Sequence, residues 1–348
     1  MEFQSYIPVL KEYVHTLMAA DSPTGFTRRA TDAAEGLARG MGYETRRSRK
    51  GNLTILVPGR DGTRTAGLCA HVDTLGLMVR SITPKGELLF DRIGGPVLPS
   101  LDGEYCRIYT RDGRVYTGTI LSLSPAAHVF DDVITRPRDC GNMYVRIDEK
   151  VSSDGDVRAL GVEVGDYICF DTKTVFTESG FLKSRFIDDK GSSAILLTLL
   201  RWLRDTGARP RCNLEITFTV YEEQGHGGAT FSPYLEELLA VDMGCVGADL
   251  SCDEYHVSIC AKDSAGPFDY DMVTRLSALA REHGIPAVLD VYPHYSSDVA
   301  VAWKAGLDAP AALIGPGVQA SHGMERTHLE AMLGTLELTA RYLDCRGE

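Results

Sequence analysis

LEITFTVYEEQGHGG, at residues 214–228, places an apolar strand-like run directly before an acidic pair and a glycine-rich loop. The run ends at Val220, and Glu222 and Glu223 follow where a buried strand would leave its sheet. Side chains at such a strand end can face a cleft. One carboxylate can hold a metal there while the other moves a proton. A solvated acidic pair would look the same in isolation, so the surrounding chain must decide.

Strand-like and helical segments alternate on both sides of this stretch. Helical spacing of apolar residues marks residues 3–18, 26–41, 190–205, 233–240, 269–283 and 329–342. Short apolar runs mark residues 53–57, 65–69, 243–248, 287–291 and 311–314. Alternation of this kind predicts an α/β domain whose sheet is covered by helices on both faces.

The pattern changes between about residues 77 and 176. Little helical periodicity remains, and turn signals such as Pro84-Lys85-Gly86 and Asp112-Gly113 separate short β-like runs. These runs are Met78–Ile82, Glu87–Phe90, Tyr105–Thr110, Val115–Leu121, Met143–Ile147 and Tyr167–Phe170. The sequence therefore predicts a β-barrel or sandwich at 77–176, inserted into a discontinuous α/β domain of residues 1–76 and 177–348.

Composition excludes several classes of protein. The chain has 348 residues, of which 44% are hydrophobic and 24% charged, as in ordinary globular proteins. A formal net charge of -12 argues against nucleic acid or an anionic membrane as partner. The nine cysteines form no Cys-x-x-Cys pair, and the N-terminus has no basic, apolar leader. These features predict a cytoplasmic protein with reduced thiols.

Further polar residues fall at predicted strand ends or helix starts. His71 and Asp73 follow the run at 65–69, and their spacing lets Asp73 orient the His71 ring. Asp188 begins the helix at 190–205, Asp249 follows the run at 243–248, and His322 follows the run at 311–314 and a Gly-Pro-Gly turn. Each alone could be a helix cap, a turn residue or a solvated loop residue.

As an ordered set, these residues resemble the two-metal exopeptidases, and most closely the M42 family of glutamyl and tetrahedral-type aminopeptidases. The resemblance covers essentially the whole chain. Its motifs are Ser22-Pro23-Thr24-Gly25-Phe26, Gly51-Asn52, Ala70–Gly76, Gly94-Gly95, Gly161–Asp166, Ile187–Lys190, Thr219–Gly225, Ala248-Asp249 and Ser321-His322. It implies a mixed-sheet αβα domain of the zinc exopeptidase type, with the inserted β-rich domain acting as a lid or oligomerisation module.

The resemblance also implies a site and a reaction. One metal ion would be held by His71, Asp188 and Asp249, and a second by Asp188, Glu223 and His322, with Asp188 bridging. Zinc is expected first, with cobalt or manganese as alternatives. Glu222 would be the general base for a metal-bridging water, and Asp73 would support the site. The expected substrates are short peptides cleaved at their N-terminal residue, and the expected assembly is a homo-oligomer, with a tetrahedral dodecamer as candidate.

The chain departs from the family pattern in several loops. Gly317-Val318-Gln319-Ala320 stands where an Arg-Tyr pair is common, Thr74 where an acidic residue is common, and Tyr295-Ser296-Ser297-Asp298 where Gly-Gly-Thr-Asp is usual. These loops leave the preferred N-terminal residue and the role of Asp298 open. Deacylases and carboxypeptidases of the same clan remain alternatives, as does a non-catalytic metal-binding scaffold. A metal-free glycosidase fits poorly, because adjacent residues rarely place their carboxyls the required ~5–9.5 Å apart.

Overall fold

The computed structural model describes residues 3–346. The chain forms two compact units, Met1–Asp73 with Lys173–Glu348, and Thr74–Thr172. The sequence placed the boundaries at 76/77 and 176/177. Among residues 3–346, no helix is both long enough and apolar enough to cross a membrane.

The seven helices of the described chain are α1 (Ile7–Met18), α2 (Arg28–Gly40), α3 (Asp154–Ala159), α4 (Ile187–Thr206), α5 (Tyr270–His283), α6 (Asp298–Lys304) and α7 (Leu329–Tyr342). The strands of the first unit are β1 (Glu44–Arg47), β2 (Leu53–Val57), β3 (Asp61–His71), β10 (Val175–Phe176), β11 (Phe181–Ser184), β12 (Cys212–Thr219), β13 (Leu238–Val241), β14 (Gly244–Cys245), β15 (Val257–Asp263), β16 (Gly266–Pro267), β17 (Ala287–Val291), β18 (Ala311–Val318) and β19 (Glu325–His328). The strands of the second unit are β4 (Gly76–Ile82), β5 (Leu88–Ile93), β6 (Tyr105–Tyr109), β7 (Val115–Ser122), β8 (Met143–Ile147) and β9 (Tyr167–Phe170).

The first unit is built on a ten-stranded mixed sheet. Its main order is β1-β2-β12-β3-β13-β18-β15-β16, with β14 beside β18 and β17 beside β15. The central strands β12, β3, β13 and β18 run parallel to one another. They are apolar and buried because helices such as α4 and α7 pack against them. The predicted mixed α/β class is confirmed.

Three smaller strands pair outside the main sheet. β10, β11 and β19 form a separate antiparallel sheet in the same unit. Of the helices, α4 is the most deeply placed, since nearly all of its residues from Ile187 to Leu203 are buried. It packs against α1, α7 and β3 and ends at Gly207, whose φ of 70° suits glycine at a helix C-terminus. The apolar sequence of α4 is thus that of a core helix.

The second unit contains a closed barrel. Its strands follow the order β4-β5-β8-β7-β6-β9 and close through the pairing of β9 with β4. Along β7 buried residues alternate with more exposed ones, as a strand with one face inside a barrel requires. Phe90, Ile108 and Val145 are fully buried in this unit. Of the two arrangements predicted for the insert, the structure has the barrel.

Two local predictions are wrong. Residues 233–240 do not form a helix, because Leu238–Val241 is strand β13, buried between β3 and β18. Gly315-Pro316-Gly317 is not a turn, because it lies within β18. A Cβ on Gly315 would lie 1.4 Å from the carbonyl oxygen of Asp242, so glycine is needed for close approach of the two segments rather than for a turn.

Candidate active site

Three parallel strands end side by side and carry the polar cluster. His71, the last residue of β3, lies opposite Thr219, the last residue of β12. Glu222 and Glu223 follow β12 in a short 3₁₀ helix, Glu222–Gln224, and Asp242 follows β13 directly. Because the carboxyl ends of parallel strands meet at one edge of a sheet, these side chains converge there.

Within the described chain, two groups of side chains could hold a metal ion. The first contains His71, Asp189 and Asp242, and the second His71, Asp188 and Glu223. In each group the ligand atoms lie within 4.8 Å of one another. His322 adjoins the second group, because its Nε2 lies 3.5 Å from Oδ2 of Asp188 and 3.6 Å from Oε2 of Glu223.

Asp188 lies between the two histidines. Its Oδ1 is 3.0 Å from Nε2 of His71, and its Oδ2 faces Nε2 of His322. Burial alone would raise the pKa of the Asp188 carboxyl, yet its contacts with His322 and His71 hold that pKa below its usual value. A carboxylate that presents one oxygen to each side is suited to bridging two cations.

Asp249 does not belong to this cluster, and the sequence-based assignment must be corrected. Asp249 is exposed, has a φ of 64°, and is in neither of the two groups. Asp242 is 5% exposed and lies in the first group with His71. The error follows from the helix predicted at 233–240: once Leu238–Val241 is recognised as a strand, the carboxylate at its end is Asp242.

The charges of the cluster fit a bound cation. Burial, followed by the nearby charge of Asp188, raises the pKa of Glu223 to about 8 and that of Asp242 to about 7. Oδ1 of Asp189 and Oε1 of Glu223 are buried without a hydrogen-bond partner in residues 3–346. A bound divalent cation would favour the ionised form of these carboxyls and would offset the burial of oxygens that have no hydrogen-bond partner. Oxygen and nitrogen donors without a thiolate suit zinc, cobalt or manganese.

Asp73 connects His71 to the glutamate pair. Its carboxylate accepts hydrogen bonds from the backbone N–H groups of Glu222 and Glu223, at 3.1 and 3.3 Å, and from the Thr24 hydroxyl at 2.6 Å. Its carbonyl oxygen lies 2.9 Å from Nδ1 of His71, whereas the carboxylate is 3.6 Å from that nitrogen. The carbonyl is thus the atom placed to orient the ring, and the carboxylate holds the 3₁₀ turn.

Glu325 is a supporting residue that the sequence analysis missed. It is 2% exposed, and its two carboxylate oxygens each accept a 3.0 Å hydrogen bond, one from the backbone N–H of Asp188 and one from that of His322. His322 has a φ of 65°, a conformation rare outside glycine. Glu325 therefore holds two proposed ligands from their main chains. Its position three residues after His322 was the available signal.

Asp298, whose role the sequence left open, supports the loop behind Glu222. Its carboxylate accepts hydrogen bonds from the Thr219 hydroxyl and from the backbone N–H of Gly228, both at 2.5 Å. A Cβ on Gly228 would lie 2.2 Å from the Asp298 carbonyl oxygen. The loop can therefore approach Asp298 this closely only because residue 228 is a glycine.

Comparison with known proteins agrees with this geometry. A sequence model described as M42 glutamyl aminopeptidase matches residues 51–338. The chain belongs to the M42 family. This M42 peptidase is 42% identical over 339 residues to "Putative aminopeptidase YhfE" of Bacillus subtilis (strain 168), a match that covers 95% of this chain and 96% of that protein. The family resemblance seen in the sequence is confirmed, and the protein is a peptide hydrolase of a metal-dependent aminopeptidase family.

Weaker similarities extend to one further sequence and, in fold, to two solved structures. A glutamyl aminopeptidase of Lactococcus lactis subsp. cremoris (strain MG1363) is 23% identical over 225 residues, covering 64% of this chain and 62% of that protein. The crystal structure of a TET aminopeptidase from Thaumarchaeota archaeon SCGC AB-539-E09 superposes with a TM-score of 0.85 at 21% identity, over 96% of both chains. A dodecameric PhTET1 structure gives a TM-score of 0.82 at 20% identity, over 95% of this chain and 98% of that one.

Proposed function

We propose that this M42 peptidase removes N-terminal residues from short peptides with two divalent metal ions. His71, Asp188 and Asp242 would hold the first ion, and Asp188, Glu223 and His322 the second. The observation that carries this proposal is the position of Asp188, whose two carboxylate oxygens face the two histidines separately. Asp189 is the less suitable bridge, because its Oδ2 already accepts a 3.1 Å hydrogen bond from the backbone N–H of His71.

The ions and the chain would divide the chemistry. When bound, two such ions polarise a carbonyl and lower the pKa of water. Zinc is the first candidate, with cobalt and manganese as alternatives. Asp73 would fix the position of the His71 ring relative to the turn that carries the two glutamates. Glu325 would fix Asp188 relative to His322. The ligands would therefore be held in place before any substrate arrives.

Glu222 is proposed as the general base. Its Oε2 lies 3.8 Å from Nε2 of His71, and its side chain keeps 14% of its surface exposed, so it adjoins the cluster and remains accessible. Burial, followed by the negative charges of Asp242 and Asp298, raises the pKa of Glu222 well above its usual value, against the opposing charge of His71. A carboxylate of raised pKa can take a proton from water and deliver it to the departing amine.

Two alternative functions would require different features of the site or of the bound molecule. A deacylase or carboxypeptidase of the same clan could use the same cluster but would not require a free N-terminal amine. A non-catalytic metal-binding scaffold would need ligands only. Glu222 belongs to neither group of potential ligands but lies beside them, which favours an enzyme over a scaffold.

The test combines metal exchange with a substrate panel. The protein is stripped with a chelator, reloaded separately with zinc, cobalt or manganese, and assayed on aminoacyl-nitroanilides and on their N-acetylated forms. We expect activity to disappear on chelation, to return with metal, and to require the free amine. Activity that survives chelation contradicts metal-dependent catalysis. Preference for the acetylated forms supports the deacylase instead.

We also propose a homo-oligomer located in the cytoplasm. A solved structure with this fold is a dodecamer, and the nine cysteines, all within residues 3–346, form no disulfide bond, as in a reducing compartment. A role of the barrel unit as a lid or oligomerisation module remains a prediction. Light scattering after gel filtration tests the assembly: a dodecamer has twelve times the 38.0 kDa mass of one chain.

A further inference from the structure

The loop that follows the proposed base contains a single side chain at residues 225–228, that of His226. Gly225 precedes it with a φ of 69°, and Gly227 and Gly228 come directly after it. Glycine leaves the backbone more conformational freedom than any other residue. His226 is therefore the one side chain through which the rest of the protein can hold this part of the loop.

The His226 ring closes the turn that carries the two glutamates. The backbone N–H of His226 donates a 3.1 Å hydrogen bond to the Tyr221 carbonyl oxygen, and that of Gly225 donates a 2.7 Å bond to the Glu222 carbonyl oxygen. The rings of Tyr221 and His226 stack, with centroids 4.6 Å apart and an interplanar angle of 24°. Glu222 and Glu223 lie between these two residues in the chain. Backbone and rings thus join the two ends of their turn.

Lys50 holds the stacked rings from another segment of the chain. Its ammonium lies 2.7 Å from Nδ1 of His226, 2.6 Å from the His226 carbonyl oxygen and 4.9 Å from the centroid of the Tyr221 ring. Because an ammonium can only donate, Nδ1 accepts this bond, and the imidazole is neutral with its proton on Nε2. A cation over an aromatic ring adds a further attraction. One ammonium therefore contacts both ends of the turn.

The segment that carries Lys50 is itself attached to the same loop. The side-chain amide of Asn52, a residue only 2% exposed, donates a 3.0 Å hydrogen bond to the Gly227 carbonyl oxygen. A Cβ on Gly51 would lie 3.6 Å from the Val220 side chain, so this segment passes in van der Waals contact with the chain just before the turn. The Lys50 ammonium is thus presented from a backbone that already packs against the loop.

The first half of the turn has a different support. The Asp73 carboxylate accepts hydrogen bonds from the backbone N–H groups of Glu222 and Glu223, but it makes no hydrogen bond to His226. Only the second half of the turn depends on Lys50. A displacement of about 1 Å in a catalytic group can cost about 10²-fold in rate. Support at one end of the turn would leave the Glu222 carboxylate free to move by such a distance.

We propose that Lys50 and His226 are positioning residues that hold the proposed base Glu222 in place through their mutual contact. This inference rests on the proposed function. The two residues act through the turn, keeping the Glu222 carboxylate beside the cluster, where its Oε2 lies 3.8 Å from Nε2 of His71. Metal binding should not depend on the contact, because the turn keeps its hydrogen bonds to Asp73.

The test removes the donor and the acceptor of the contact separately. In Lys50→Met and in His226→Leu we expect kcat to fall about 10–10²-fold, with KM and metal content little changed. The double variant should lose no more than the larger single loss, because either change breaks the same contact. The matched control is Lys11→Met. Lys11 is also half-buried, with its ammonium 5.1 Å from the centroid of the Phe176 ring, and its variant should keep the kcat of the wild type.

A second comparison separates positioning of the base from a general loss of structure. In a Glu222→Gln protein the base is already absent, so adding Lys50→Met should leave the residual kcat and the Tm unchanged. A further fall in that residual kcat would show that Lys50 acts by some route other than Glu222, and would contradict the inference.

The remaining outcomes are distinguishable from one another. If Glu222→Gln loses its rate while Lys50→Met and His226→Leu keep theirs, the positioning role is wrong and the proposed base stands. A raised KM at unchanged kcat in Lys50→Met also contradicts positioning, because Lys50 would then bind substrate. So does a loss of bound metal at an unchanged rate per metal. A Glu222→Gln variant with the kcat of the wild type contradicts the proposed base and, with it, this inference.

Discussion

Glu222 and Glu223 are neighbours in sequence with different surroundings. This difference predicts that substitution of Glu222 lowers the catalytic rate, whereas substitution of Glu223 lowers metal affinity. The Glu223 side chain is 4% exposed and faces His322, whereas that of Glu222 is more accessible and lies beyond the ligand groups. We expect Glu222→Gln to lower kcat by about 10²–10⁴-fold while both metal ions remain bound. Glu223→Gln should instead lower metal affinity. Metal analysis beside steady-state kinetics separates the two, and equal metal content in both variants would contradict the division of roles.

Asp242 and Asp249 give a matched pair of aspartates for testing the corrected ligand set. We expect Asp242→Asn to bind one metal ion fewer per subunit and to lose most activity, because Asp242 is buried beside His71. Asp249→Asn should retain full metal content and activity, because Asp249 is exposed and outside the cluster. Metal stoichiometry after dialysis measures both. The reverse result would restore Asp249 as the ligand.

At the residue level, the site was predictable where a residue type and a strand end coincided. His71, Asp188, Glu222, Glu223 and His322 converge in the structure. Asp242 was missed because its strand was mistaken for a helix. Glu325 was missed for a different reason: it acts through hydrogen bonds to the main chains of Asp188 and His322, and only its spacing from His322 is visible in the sequence.

Gly315 in β18 shows how an element can depend on the absence of a side chain. A Cβ there would lie 1.4 Å from the Asp242 carbonyl oxygen. Gly315→Ala must therefore displace the backbone of Asp242, which is a proposed metal ligand. We expect a loss of about 3 kcal/mol or more in unfolding free energy, at or above the upper end of the range typical of overpacking. The control Gly36→Ala lies in α2, where a Cβ would meet no atom within 4 Å beyond its chain neighbours and the backbone of its own helix, and should be neutral or stabilising by about 0.5–1 kcal/mol. Denaturant unfolding measures both, and a neutral Gly315→Ala would contradict the close packing.

At the level of elements, the spacing of apolar residues predicted helices and strands correctly where an element buries one face or where an apolar run is long. β2, β8, β9, β17 and α7 have the predicted bounds. β13 could not be distinguished by periodicity, because a strand buried on both faces is continuously apolar and resembles a short core helix. β1 and β19 were not predicted, since their sequences, Glu44–Arg47 and Glu325–His328, are polar. Only pairing with β2 and β11 makes them strands.

For the whole molecule, metal binding and folding stability should be linked through protons. In the metal-free protein, burial raises the pKa of Glu223 to about 8 and that of Asp242 to about 7, from ordinary values of 4.5 and 3.8. For each carboxyl, at pH values between its ordinary pKa and its raised pKa, the folded state binds more protons than the unfolded chain. The free energy of unfolding therefore falls as pH rises through this window. The raised pKa values of Glu222 and Glu325 act in the same direction.

A cation that replaces these protons should therefore stabilise the protein more as pH rises. We expect the increase in Tm on adding zinc to chelated protein to be small near pH 5 and to grow steadily toward pH 8. Thermal unfolding of chelated and zinc-loaded protein across this range measures it. The double variant Glu223→Gln, Asp242→Asn should flatten the pH dependence of the chelated protein, because the two titrating carboxyls are gone. A zinc-induced increase in Tm that is the same at every pH would show that the cluster does not exchange protons for metal.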